Sequence, residues 1–152
     1  MEIQTEKIIT SVLEKQLASP AKGRITRHTC EAVYNNGKRS SLPILALVIP
    51  CYNEEAALEK TACALMMALD DLKIQRVIHP ASFIYFVDDG SVDMTWNIIM
   101  TLHDSHKAIK GVKLARNVGH LNDILAGLLN VKDRIDCAIT IDADLQDDIT
   151  LI

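Results

Sequence analysis

Four short apolar runs alternate with three stretches of helical periodicity in the last two thirds of the sequence. The runs cover residues 44–49, 83–87, 112–115 and 135–141, and the helical stretches cover 54–72, about 91–102 (capped by Ser91 or Asp93) and 120–131. Apolar strands separated by helices of about ten or more residues indicate βαβ units and a parallel sheet covered on both faces. The pattern predicts an α/β fold of about four parallel strands with flanking helices.

The first 41 residues follow a different pattern. Residues 3–17 place apolar side chains on one helical face and charged side chains on the other, which predicts an amphipathic helix. Residues 18–43 are rich in Pro, Gly, Asn and Ser and resemble a linker. We therefore divide the chain into an extension, residues 1–41, and an organised domain, residues 42–152.

Composition narrows the class of protein. The chain has 152 residues, of which 49% are apolar and 24% charged, enough for one globular domain. The formal net charge of −4 argues against a nucleic-acid binder. Three of the four cysteines lie in apolar stretches and predict buried, unpaired thiols. With no long apolar run and no signal-peptide pattern, we expect a cytoplasmic protein.

Polar residues collect where the predicted strands end. The segments are Pro50–Glu55, Asp88–Ser91, Arg116–His120 and Asp142–Asp148, one after each strand. In an open parallel α/β sheet, ligands bind outside the carboxyl ends of the strands. Because these ends share one edge of the sheet, we expect the four segments to converge on one site.

Asp142 and Asp144 are the candidates for a metal site. Two carboxylates at the end of a buried strand repel each other unless a cation or donor lies between them. Mg²⁺ typically takes one or two protein carboxylates and lets substrate phosphates complete its coordination. A divalent cation is therefore favoured over a purely structural role.

The other loops leave two interpretations open. Asp88 and Asp89 could form a turn and helix cap, or accept a hydrogen bond from the ring N–H of a base. Tyr52 could belong to the core or stack on a base, and Arg116 could be a surface cation or neutralise phosphate. His120 is more typical of a helix cap than of a catalyst. Neither a dinucleotide-binding glycine motif nor a P-loop is present.

Four motifs together carry a resemblance to a known family. They are Leu47–Glu55 (LVIPCYNEE), Val87–Ser91 (VDDGS), Arg116–His120 (RNVGH) and Asp142–Asp147 (DADLQD), in this order. Across residues 44–148 the chain resembles the family 2 glycosyltransferases, whose catalytic domain has the Rossmann-like GT-A fold. The similar branch is that of the polyprenyl-phosphate and dolichol-phosphate sugar transferases.

The resemblance implies a site for a nucleoside-diphosphate sugar with a uridine or guanosine base. It implies that Asp142 and Asp144 act in catalysis, and that Asp142, Asp144 and Gln146 hold Mg²⁺ or Mn²⁺ on the diphosphate. It implies inverting transfer to a polyprenyl phosphate at the cytoplasmic face of the membrane. The implied donor-binding residues are Pro50, Tyr52, Glu54, Val87, Asp88, Asp89, Arg116, Asp142, Ala143, Asp144 and Gln146.

Two departures from the family shape the remaining expectations. Residues Leu121–Ile124 (LNDI) stand where the family usually has small apolar side chains. The sequence also ends at Ile152, so we expect the donor-binding part without its acceptor half, and self-association through an exposed sheet edge. One alternative is a non-catalytic nucleotide-sugar-binding or regulatory module. Another is a haloacid-dehalogenase-like phosphatase, disfavoured because its Asp-x-Asp pair normally closes the first strand.

Overall fold

The computed structural model describes residues 41–144, which form a parallel sheet with helices on both faces. The strands are β1 Leu45–Cys51, β2 Phe83–Asp88, β3 Ile109–Lys113 and β4 Cys137–Thr140; the helices are α1 Leu58–Ile74, α2 Thr95–Ser105 and α3 His120–Val131, followed by a 3₁₀ turn Lys132–Arg134. The predicted α/β class is confirmed.

The strand order is β3-β2-β1-β4, with every neighbouring pair parallel. The chain builds outward from β1 through β2 to β3, then returns across the sheet so that β4 pairs with the other side of β1. Leu45 pairs with Cys137 and Val48 with Thr140. The direction of the strand order therefore reverses between β1 and β4.

The two faces of the sheet carry separate apolar clusters. Leu47 and Ile49 of β1 pack with Leu58, Leu65 and Leu69 of α1 on one face. Ala46 and Val48, which alternate with them along the strand, pack with residues of α3 on the other. This alternation explains why β1 reads as a continuous apolar run: both of its faces are buried.

Helix α3 approaches the sheet unusually closely at Gly127. A Cβ on Gly127 would lie 2.6 Å from a methyl of Val87 and 2.7 Å from a methyl of Val48. The absence of a side chain thus lets α3 lie directly over β1 and β2. The same helix face carries Asp123 one turn earlier, toward the carboxyl edge of the sheet.

The predicted boundaries of several elements needed correction. The helix expected from Glu54 begins at Leu58, and the strand expected at 112–115 runs from Ile109 to Lys113. The strand expected at 135–141 is limited to Cys137–Thr140. The expected helix 120–131 is confirmed as His120–Val131.

The cysteine prediction was right for one thiol and wrong for two. Cys51 is buried, whereas Cys63 and Cys137 are exposed. Cys63 lies on the outer side of α1, and Cys137 opens β4, which has a strand neighbour on one side in the described sheet. Helical periodicity and edge position, rather than apolar neighbours in sequence, decide the burial of these two residues.

Some predictions fall on residues outside the described range. The amphipathic helix at 3–17, Gln146 and all but the last three residues of the linker-like stretch 18–43 lie there, and the domain boundary between residues 41 and 42 stays a prediction. In the described part of the chain, helices are too short or too polar to cross a membrane.

Candidate functional site

The reversal of strand order opens a crevice at the carboxyl ends of β1 and β4. This topological switch point is where open α/β sheets bind ligands. The loop after β1 begins at Tyr52 and the segment after β4 contains Asp142 and Asp144. The predicted convergence of these two segments on one edge follows directly from the parallel pairing.

The segment after β4 is fixed by its backbone and presents its acids outward. Ile141 N–H donates to Val48 O at 3.2 Å, and the Thr61 hydroxyl donates to Ala143 O at 2.5 Å. Ile141 and Ala143 are buried, while Asp142 and Asp144 between and after them are exposed. Burial therefore alternates along residues 141–144: the apolar residues anchor the segment and the carboxylates face solvent.

Glu54 and His120 lie near this acidic pair. The pKa of Glu54 is raised by burial first, and then by the charges of Asp144, Asp93 and Asp142. His120 Nε2, at the start of α3, lies 3.8 Å from Asp142 Oδ1. The crevice therefore combines three carboxylates from two loops, and its negative potential favours a cation.

Asp88 and Asp89 behave differently, because both are buried and form internal contacts. Asp88 Oδ1 accepts from Ser91 N–H at 3.0 Å, and Lys113 Nζ lies 3.2 Å from Oδ2. Oδ2 has no hydrogen bond of good geometry within residues 41–144, so the ion pair with Lys113 is its compensation. A buried carboxylate without that cation would carry a large desolvation cost.

Asp89 joins the loop after β2 to the loop after β3. Its Oδ1 accepts from Val118 N–H at 2.7 Å and its Oδ2 from Gly119 N–H at 3.0 Å. Gly90, at φ 72°, lies so close to the same loop that a Cβ would be 2.7 Å from the Arg116 carbonyl carbon. The turn interpretation of this motif thus describes what its side chains do in this structure.

The remaining predicted donor residues divide by exposure. Tyr52 is 45% exposed at the mouth of the crevice, where an aromatic face is available for stacking. Pro50 and Val87 are buried within the sheet, so contact with a ligand would run through their backbone. The Cys51 thiol is buried and its pKa is raised by that burial and by nearby carboxylates, which disfavours a nucleophilic role.

Arg116 lines a groove between the loop after β3 and helix α3. The groove has a volume of about 480 Å³. Its lining is mostly apolar and consists of Leu114, Ala115, Arg116, Val118, Asn122 and Ala126. The exposed guanidinium lies 3.5 Å from Asn117 O, a weak contact. The structure therefore places Arg116 in the loop after β3, with its guanidinium exposed.

Asp123 is a member of the site that the sequence interpretation did not assign. It is 2% exposed, and burial raises its pKa to about 6, with Asp89 and Asp142 adding to the rise and His120 opposing it. Its place on α3 follows from spacing, because Asp123, Gly127 and Val131 share the buried face. The sequence could have indicated this, because Asp123 lies four residues before Gly127 and eight before Val131, on the apolar face of the helix.

The donor set suits a hard divalent cation completed by a ligand. Within residues 41–144, His, Cys, Asp and Glu form no group of three or more placed to hold a metal by themselves. Asp142 and Asp144 nevertheless supply exposed oxygen ligands, and Mg²⁺ needs only one or two carboxylates when phosphates are present. The residues present fit a metal shared between protein and diphosphate.

Comparison with known proteins identifies related sequences and folds. The Glycosyl transferase family 2 model matches residues 46–152. An uncharacterized glycosyltransferase of Bacillus subtilis (strain 168), YkoT, is 48% identical over 114 residues, covering 75% of this chain and 34% of that protein. The undecaprenyl-phosphate 4-deoxy-4-formamido-L-arabinose transferase of Shewanella sediminis is 37% identical over 110 residues, covering 70% and 30%.

A solved structure shares the fold. The mannosyltransferase PcManGT of Pyrobaculum calidifontis, solved with GDP-Man and Mn²⁺, superposes with a TM-score of 0.53 at 20% identity. The superposition covers 69% of this chain and 28% of that one. The chain thus spans about a third of the length of the curated relatives it matches.

Proposed function

Because the chain belongs to glycosyl transferase family 2, we propose that it forms the donor-binding part of a sugar transferase with a nucleoside-diphosphate sugar as donor. The observation that carries the proposal is the position of Asp142 and Asp144. They lie exposed at the switch point, near Glu54. Relatives named for transfer on undecaprenyl phosphate support a polyprenyl phosphate as acceptor. The proposal places the reaction at the cytoplasmic face of a membrane.

In this proposal the residues of the crevice bind and orient the donor. Tyr52 stacks on the base, and Glu54 with the backbone of Pro50 and Val87 lines the base and ribose. Asp142 and Asp144, joined by Gln146 from outside the described range, would hold Mg²⁺ or Mn²⁺. When bound, the cation supplies charge neutralisation to the departing diphosphate.

Asp88 and Asp89 enter the proposal through the loops that they fix. The exposed guanidinium of Arg116 is placed to meet phosphate charge from the side of the groove. The backbone of Ala143 sets the spacing of the two acids on either side of it. With the donor so held, an acceptor oxygen attacks the anomeric carbon on the face opposite the leaving group, and the configuration inverts.

Calorimetric titration with UDP and GDP, each with and without Mn²⁺, tests the proposal. We expect Mn²⁺-dependent binding of one nucleotide by the chain, and loss of that binding in Asp144→Ala. The matched control is Asp104→Ala, which removes an exposed carboxylate at the far end of α2. Metal-independent binding, or binding that Asp144→Ala leaves intact, would contradict the assigned role of the acidic pair.

A transfer assay separates the enzyme from the alternative module. Radiolabelled nucleotide sugar and undecaprenyl phosphate in detergent are incubated with the chain, and lipid-linked sugar is extracted and counted. Lipid-linked product supports the transferase, whereas tight nucleotide binding without product supports a nucleotide-sugar-binding module.

A further inference from the structure

The loops after β1 and β2 are joined by reciprocal hydrogen bonds, which we call the interloop clasp. Three consecutive backbone N–H groups of the first loop donate to two side chains of the second loop and to that of Thr95, the first residue of α2. The bonds are Asn53 N to Ser91 Oγ (2.9 Å), Glu54 N to Thr95 Oγ1 (2.8 Å) and Glu55 N to Asp93 Oδ2 (3.2 Å).

Two side chains of the first loop complete the clasp in the opposite direction. Asn53 Oδ1 accepts from Val92 N–H at 3.0 Å, and Glu55 Oε2 accepts from Met94 N–H at 2.9 Å. Asn53 has a left-handed backbone, φ 56°, a conformation that Asn adopts more readily than most residues. The first loop thus both donates and accepts, so neither loop can shift without breaking bonds in both directions.

The clasp also restricts how the loop can meet a diphosphate. Successive backbone N–H groups in a turn commonly form an anion-binding concavity. Here the N–H groups of Asn53, Glu54 and Glu55 already donate to protein oxygens. These three N–H groups are therefore not available to a phosphate, which leaves side chains and a shared cation to bind it.

From this geometry we infer that Asn53 and Glu55 are positioning residues for the donor site, acting through their neighbours Tyr52 and Glu54. The inference rests on the proposed function. The odd and even residues of the segment divide the work. Asn53 and Glu55 hold the loop through the hydrogen bonds of the clasp, whereas the Tyr52 side chain is exposed and Glu54 lies near the charges of Asp144 and Asp142.

Glu55 offers a clean test because Gln preserves its acceptor. Glu55→Ala removes the oxygen that binds Met94 N–H, whereas Glu55→Gln keeps an oxygen at the same reach and removes the charge. With UDP or GDP and Mn²⁺, we expect Glu55→Ala to bind about fivefold to tenfold more weakly than wild type, the worth of one hydrogen bond. Glu55→Gln should bind within about twofold of wild type, since its acceptor remains.

Two controls separate positioning from general stability. Glu59→Ala, which removes an exposed carboxylate from the first turn of α1, should bind as wild type does. Circular dichroism melting establishes that each variant is folded at the titration temperature. In the Glu54→Ala background the Glu55→Ala effect should shrink, because a residue that acts through Glu54 has nothing left to position.

A second pair of variants keeps the inference testable if Glu55→Ala does not fold. Asn53→Gly removes the acceptor but tolerates the left-handed backbone, and Asn53→Asp retains both. The glycine variant should lose affinity and the aspartate variant should recover it.

The outcomes distinguish this inference from the proposed function. If the wild-type chain binds nucleotide and both Glu55→Ala and Asn53→Gly bind it with the same affinity, the positioning role is wrong but the proposed function stands. Equal loss in Glu55→Gln and Glu55→Ala also overturns it, because the charge would then act directly. Failure of the wild-type chain to bind either nucleotide overturns the proposed function and this inference with it.

Discussion

Two pairs of acids at the same edge of the sheet look alike in sequence and have different roles in the structure. Asp88 and Asp89 are 0% and 2% exposed. Asp88 pairs with Lys113 and accepts from Ser91 N–H, and Asp89 accepts from the N–H groups of Val118 and Gly119. Asp142 and Asp144 are exposed on a segment held by its apolar residues. The first pair builds the rim, and the second is presented by it.

The difference teaches that proximity to the switch point does not by itself make an acid a ligand. A buried carboxylate whose oxygens accept two backbone hydrogen bonds stabilises a loop and has little left for a substrate. Neighbouring exposed carboxylates repel each other, and a cation that binds between them relieves this repulsion. Stability and ligand affinity should therefore respond to different members of the two pairs.

The largest expected effect is on stability, in Asp89→Ala. The substitution leaves the N–H groups of Val118 and Gly119 without their acceptors, and we expect a loss of about 3 kcal/mol in the free energy of unfolding. Asp89→Asn, which keeps one acceptor oxygen, should lose about half of that. Urea denaturation measures both; an Asp89→Ala variant as stable as Asp142→Ala would break the comparison.

The next effect concerns affinity, in Asp144→Ala. Its stability should stay within about 0.5 kcal/mol of wild type, as for other exposed substitutions. Its Mn²⁺-dependent nucleotide affinity should fall at least about tenfold, equivalent to about 1.4 kcal/mol, because a metal ligand is lost. Paired melting and calorimetry check this, and a large fall in melting temperature would mean that Asp144 belongs with the structural pair.

A pH series extends the comparison to Asp123. Its folded pKa, raised to about 6, lies above the usual value for Asp, so the folded state holds the proton more tightly. The raised pKa of Asp123 therefore contributes to folding stability in full at pH values below the unfolded pKa, and this contribution is lost as pH rises through about 6. In Asp123→Asn, which cannot ionise, stability should depend less on pH between about 4 and 7. Denaturation across that range decides, and identical slopes would contradict the prediction.

The smallest effect should come from Thr61→Val. The valine cannot donate to Ala143 O, so a buried carbonyl loses its bond at a cost of about 1 kcal/mol. Because this bond anchors the segment that presents Asp142 and Asp144, nucleotide affinity should fall about twofold to fivefold. Thr61→Ser retains the hydroxyl and should preserve affinity; equal affinity in the valine variant would show that the anchor is not needed.

Sequence patterns correctly predicted those helices and strands whose own residues mark their ends or their burial. Helix α3 follows Gly119, whose positive φ ends the preceding loop, and its predicted bounds were confirmed. Strand β1, buried on both faces, was recognisable from its continuous apolar run. The fold class and the convergence of the rim loops followed from the alternation of these elements.

Non-local contacts explain what the sequence left open. The helix predicted from Glu54 begins at Leu58, and the N–H groups of Glu54 and Glu55 before it donate to the side chains of Thr95 and Asp93, about forty residues away in sequence. The role of Asp89 depends on two N–H groups about thirty residues away in sequence. Spacing along one segment carries no information about such partners, so the clasp and the buried role of Asp89 required coordinates.

The late arrival of β4 has a consequence for how the domain assembles. β1 and β2 pair across one helix, whereas β1 and β4 pair only after α1, β2, α2, β3 and α3 have been traversed. Closing the longer loop costs more chain entropy, and the shorter strand has fewer pairs to repay it. The positions of Asp142 and Asp144 after β4 therefore depend on the pairing in the sheet that is most distant in sequence. A substitution that disrupts β4 should abolish metal-dependent nucleotide binding while β1, β2 and β3 remain paired.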